Sequence, residues 1–159
     1  MGYLIPKDKE SERIVAIEKR IKEEWEKLYY PEFQRAFTTV RQATWYKYLQ
    51  YQKERGWIQD FYPLSKITRR EGKVRHHEYV YYADFEVEYS FGNVLVELFW
   101  GKISSTFVNF IRKNNLKVMV VDINMSHEVV EAYQDVIDFS HKPLEVKDIN
   151  SKKYYTHFR

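Results

Sequence analysis

Asp84, Glu86 and Glu88 stand two residues apart in the stretch YYADFEVEY, and Glu97 follows a few residues later in VLVELFW. Side chains alternate across a strand, so the first three acids share one face, with Ala83, Phe85, Val87 and Tyr89 on the other. Gly92-Asn93 lies between the two runs and marks a hairpin turn. A two-residue turn there pairs Phe91 with Val94, sets Glu88 opposite Glu97 and sets Glu86 opposite Phe99; a three-residue turn takes Glu97 off this face. Like charges placed opposite each other repel. A divalent cation, Mg²⁺ or Mn²⁺, turns that repulsion into ligation, because hard cations prefer carboxylate oxygens. The plainer account of such an alternation is a hairpin with one wet face.

The charge pattern around the acids favours chemistry. Lys66, Arg69, Arg70, Lys73 and Arg75 crowd one segment opposed only by Glu71, with His76 and His77 beside them. From Glu78 to Gly101 there are acids and no Lys or Arg. A solvated surface normally mixes its signs. Carboxylates that hold a metal beside a basic surface suit phosphodiester hydrolysis: the metal activates water, and the bases hold the phosphate backbone. Lys66, Arg69, Arg70, Lys73, Arg75 and His76 are therefore the expected nucleic-acid contacts, and a solvated turn is the plain alternative.

Helices and strands must position these groups. Ile14, Ile17, Ile21, Trp25 and Leu28 recur at helical spacing over roughly 10–29. A second helix is expected over about 31–55, opened by Pro31 and stopped by Gly56, with Phe33, Phe37, Val40, Thr44 and Tyr48 on one face. Residues 70–73, Arg-Glu-Gly-Lys, read as a turn, and HHEYVYYADFEVEYSFGNVLVELFW reads as strand, turn and strand. Ser104 or Ser105 caps a helix to about Asn114, LKVMVVDI is a buried strand, and Ser126 caps a last helix. The fold class is α+β: a mixed four-stranded sheet, an antiparallel meander plus one parallel strand returned through a crossover helix, with N-terminal helices packed on it. One domain is expected over 1–159, with a helical extension at 1–30, a core at 31–140 and a polar, basic tail at 141–159.

Bulk composition narrows the rest. With 159 residues, 44% of them hydrophobic, the chain can bury a core, and the absence of cysteine excludes disulfides and thiolate zinc sites. No apolar run nears the ~20 residues needed to span a bilayer, so a cytoplasmic protein with no membrane partner is expected. No Walker A loop, GxGxxG or GxSxG occurs, which argues against a nucleotide cofactor and serine hydrolysis. The fourteen tyrosines suit strands and core better than base stacking, and His127 and His141 lack a zincin spacing.

Three stretches resemble the PD-(D/E)XK, or restriction-endonuclease-like, nuclease superfamily. YQKERGWIQDFYPLSKI looks like its lead-in, YYADFEVEY like its aspartate strand, and VLVELFWG like its (D/E)XK strand. The resemblance covers roughly 47–123 and includes the element order. It implies Asp84 as metal-binding aspartate, Glu97 as the second acid and Glu54 as an auxiliary helix carboxylate. Phe99 stands where the family has lysine, which leaves Lys102 as the substitute and Glu86 as a further ligand or general base. The cysteine-free, tyrosine-rich composition is also similar to that of small proteins of archaeal filamentous viruses, which would place the chain in a host cytoplasm.

The expectation is thus a metal-dependent nuclease on double-stranded DNA. Its catalytic residues would be Glu86, Asp84, Glu97 and Lys102, and its Mg²⁺ or Mn²⁺ ligands Asp84, Glu86, Glu97 and Glu54. A non-catalytic nucleic-acid binder with the same fold is the alternative. An edge strand leaves room for a homodimer.

Overall fold

The computed structural model describes residues 2–28, 40–64, 66–98, 103–121 and 126–139. The helical positions Phe33 and Phe37, the family position Phe99, Lys102 and the tail 141–159 lie outside them. The fold is α+β, and its strands make two sheets.

In chain order the elements are β1 (Tyr3–Pro6), α1 (Glu10–Leu28), α2 (Val40–Glu54), β2 (Asp60–Pro63), β3 (Arg69–Val74), β4 (His77–Tyr82), β5 (Phe85–Tyr89), β6 (Gly92–Leu98), α3 (Ser105–Lys113), β7 (Val118–Val121), α4 (His127–Tyr133) and β8 (Ile137–Asp138). The small sheet has the order β1-β4-β3 and the large sheet β2-β5-β6-β7-β8. β2, β5 and β6 form an antiparallel run like the expected meander, but β3 and β4 intervene between β2 and β5 and belong to the small sheet; the crossover through α3 returns β7 parallel to β6. The large sheet has five strands rather than four, because β8 adds a second parallel pair.

Local chemistry explains most boundaries. Ser104 accepts the Phe107 amide at 3.1 Å and Ser126 the Val129 amide at 3.2 Å, satisfying two otherwise unpaired helical donors. Gly56 takes φ 75° after α2, and Trp57 N–H reaches back to the Gln52 carbonyl at 3.0 Å, the paired closure that a left-handed residue permits. The apolar spacing of α2 places Trp45, Tyr48 and Leu49 in the core.

Two turns fall elsewhere than the sequence suggests. Residues 70–73 lie within β3, and the turn is at Arg75-His76, where Arg75 adopts φ 57°. Gly72 is a close-approach glycine: a Cβ there would collide with the Asn114 side chain. The second hairpin turns at Ser90-Phe91, since Tyr89 pairs with Gly92 and Glu86 with Leu95. Gly92-Asn93 instead opens β6. The turn lies two residues earlier than expected and each cross-strand partner moves by four, from Phe99 to Leu95 for Glu86, so parity is kept and Glu97 stays on the acid face.

Layers follow from parity. Phe85, Val87, Val96, Leu98, Met119 and Val121 pack under α2. On the other face of the large sheet, Leu95, Val118 and Val120 meet Phe107 and Phe110 of α3 and Val74 and Tyr81 of the small sheet. The far face of the small sheet, Ile5, Val80 and Tyr82, is covered by Ile14 and Ile17 of α1. The acid face is therefore not a wet face; it is the buried seam between two sheets.

Candidate functional site

Asp84 lies where the chain leaves β4 in the small sheet and enters β5 in the large one. Glu97 is in β6. Continuing the β5–β6 register by one step from the Phe85–Val96 pair sets the two acids opposite each other. Asp84 Oδ2 accepts the Leu98 amide at 2.8 Å, which locks it to the neighbouring strand. Asp84 and Glu97 are 1% and 3% exposed.

Each carboxylate draws donors from elsewhere in the fold. Gln42 of α2 donates its Nε2 to Asp84 Oδ1 at 2.5 Å. Tyr81 of β4 donates its hydroxyl to Glu97 Oε2 at 2.6 Å, and the Gly2 amide donates to Glu97 Oε1 at 2.8 Å. Burial, and then the charge of Asp84, push the Glu97 carboxyl up to about 8, against the pull of the Tyr81 and Gly2 donors. Burial and the adjacent Glu97 raise Tyr81 well above its ordinary range, so it stays a donor. Gly2 fits because it lacks a side chain: a Cβ would strike Glu97 Oε2 and come within 2.5 Å of the Tyr82 carbonyl. The end of β1 thus lies directly on the acid pair.

Glu86 shares the face but has a different partner. Arg70 of β3 reaches across the seam to pair with its Oε1, and Asn93 Nδ2 donates to the same atom at 3.3 Å. Glu88, at the outer end of the face, accepts the Tyr62 hydroxyl at 2.9 Å.

The expected ligand set is only partly assembled. Asp84 and Glu97 come together, while Glu86 is taken up by Arg70. Glu54 is corrected out of the site: it is exposed at the last residue of α2, twelve residues beyond the one that touches Asp84, or ~18 Å along the helix. Gln42 at the near end of α2 occupies the place that the helix carboxylate was expected to hold. Among the described residues no group of three or more His, Asp or Glu side chains gathers around one point. Asp84 and Glu97 bring two carboxyl groups together, and all four of their oxygens already accept protein donors.

The basic segment divides as well. Arg69 makes a forked contact with Glu10 of α1 at 2.9–3.2 Å and a further one with Glu71 at 2.7 Å. Arg70 serves Glu86 and the Ile67 carbonyl. Lys66, Lys73, Arg75 and His76 are exposed.

Gln42, Tyr81, Gly2 and Asn93 escaped the sequence reading. Tyr81, Gln42 and Gly2 reach partners 16, 42 and 95 residues away and Asn93 acts across the hairpin turn, and the nearest sequence signal was a polar residue, Gln42, one helical turn before Trp45. No protein family matches the chain, and neither a characterised protein nor a solved structure matches it.

Proposed function

We propose that the chain is a Mg²⁺- or Mn²⁺-dependent nuclease of double-stranded DNA, with Asp84 and Glu97 as the ion-holding pair. The observation that carries this reading is the placement of two buried carboxyl groups opposite each other on adjacent strands, which repel once both are ionised, a repulsion that a divalent cation would relieve. When bound, the ion would lower the pKa of water and polarise the phosphoryl oxygen. Asp84 and Glu97 supply its anchoring oxygens, held in orientation by Gln42, Leu98 and Tyr81. Glu86, on the same face, is the candidate general base, and Arg70 is the cation that holds it in place. The antiparallel run β2-β5-β6 and the α3 crossover to the parallel β7 support the likeness to the nuclease superfamily that the motifs resemble, with the β3–β4 hairpin as a departure from it.

A second reading, a DNA-binding protein without catalysis, is favoured by one specific observation. All four oxygens of Asp84 and Glu97 already accept protein donors, one of them the Gly2 amide just before β1. The two readings separate in one assay. Linear and supercoiled DNA are incubated with the protein in Mg²⁺, Mn²⁺ or EDTA, beside Asp84→Ala, Glu86→Ala and Glu97→Gln. Metal-dependent cleavage lost in all three variants is the expected result. Cleavage that survives all three removes the proposed site, and salt-sensitive binding without cleavage selects the second reading.

A further inference from the structure

We infer that the corner between β1 and α1, together with the turn joining β3 to β4, forms a docking groove for the phosphate backbone of duplex DNA. The inference rests on the nucleic-acid reading above but not on catalysis. The groove encloses ≈ 670 Å³ and is lined by Lys7 and Lys9 of the turn Lys7–Lys9, Lys73 of β3, and His76 and His77. Residues far apart in sequence build it: β1 pairs with β4 up to Pro6–Tyr79, and that pairing brings the two lysines beside the β3–β4 turn.

The cations here differ from Arg69 and Arg70, which are bound into the fold. Lys73 approaches Glu78 only to 3.9 Å, with the two side chains 71% and 53% exposed. Lys7 meets Glu71 at 3.4 Å, also on the surface. Exposed pairs of this kind contribute little, so both lysines can exchange a protein carboxylate for a phosphate at small cost. Asp8 and Glu78 also line the groove, and three lysines outnumber them. Arg75, exposed beside His76, adds another cation. Histidine rings and Lys7–Lys9 provide N–H donors in a concave wall, the mixture that positions a phosphate backbone without reading its bases.

The same strand joins the groove to the acid pair. Gly2 touches Glu97, and Lys7 enters the groove five residues later. An extended chain covers ~16 Å over that length.

The test is a binding titration of a labelled 20-base-pair duplex in EDTA at several salt concentrations. The variant is Lys9→Glu with Lys73→Glu; the control, Lys53→Glu with Arg55→Glu, makes the same change of net charge at the exposed end of α2, on the far side of the large sheet. The groove variant should lose about tenfold or more in affinity at low salt, and its log–log salt slope should fall by ~2 relative to the wild type. The control should keep the wild-type slope. A groove variant indistinguishable from the control overturns the groove while leaving DNA binding intact. A wild-type protein that binds no duplex at low salt overturns both the groove and the nucleic-acid reading.

Discussion

The Tyr81 hydroxyl and the Glu97 carboxylate meet at 2.6 Å across the seam between the two sheets, both fully inside the protein. Deleting the hydroxyl leaves a buried carboxyl oxygen without that donor. Tyr81→Phe should therefore lower stability by about 1–3 kcal/mol, the usual penalty for stranding one buried polar partner. Urea unfolding checks it: the midpoint should fall at unchanged slope. An unshifted midpoint would mean that the bond contributes nothing to holding the sheets together.

Glu97 also predicts how stability depends on pH. Its carboxyl is raised from 4.5 to about 8 in the fold. Below the lower value both folded and unfolded chains are protonated there, so the group is silent. Between the two values the unfolded chain releases the proton and the folded chain keeps it, so stability falls as pH rises. The fall is at most about 1.4 kcal/mol per pH unit and ends near pH 8, where both states are ionised. Melting in EDTA between pH 5 and 9 should show this decline, and Glu97→Gln should flatten it. A variant with the wild-type slope would assign the proton to another group.

The small sheet closes on the site through Gly2. With a Cβ the residue would strike Glu97 and the Tyr82 carbonyl, one held by Tyr81 and the other part of a paired strand. Neither can yield easily, so Gly2→Ala should push the start of β1 away. Hydrogen exchange should quicken at Tyr3 and Ile5, with a loss of roughly 1–3 kcal/mol as expected for overpacking. Unchanged protection would show that the strand has room beside the acid pair.

Features written in neighbouring residues were legible in the sequence. Ser104, Ser126 and Gly56 act within one helical turn, and the apolar run at Val118–Val121 needs no partner to be recognised. The seam was not legible. No Gly or Pro interrupts the stretch from His77 to Tyr89, yet the chain changes sheets at Ala83-Asp84. Arg69, Glu71 and Lys73 look like a charged turn because their strand faces Glu10 of α1 on one side and Glu86 on the other. The choice between turns at Gly92-Asn93 and Ser90-Phe91 was equally closed to local reasoning. Both bury the same side chains, and contacts such as Leu98 to Asp84 distinguish them only in the folded chain.

Arg70 and Glu86 form the second tie across the seam, with side chains 32% and 3% exposed. Removing the arginine alone leaves a buried carboxylate without its cation. Breaking a buried pair typically costs 3–5 kcal/mol, and the partial exposure of Arg70 brings the expectation for Arg70→Ala down to about 2–3 kcal/mol. Replacing both partners by apolar residues of similar size, Arg70→Met with Glu86→Leu, should recover most of that loss, because neither charge is then stranded. The double-mutant cycle measured by urea unfolding should give a coupling of at least about 1 kcal/mol. The same proteins separate structure from chemistry. A double variant that is as stable as the wild type yet cleaves no DNA assigns Glu86 a chemical role, whereas one that regains both stability and metal-dependent cleavage reduces Glu86 to a structural partner of Arg70.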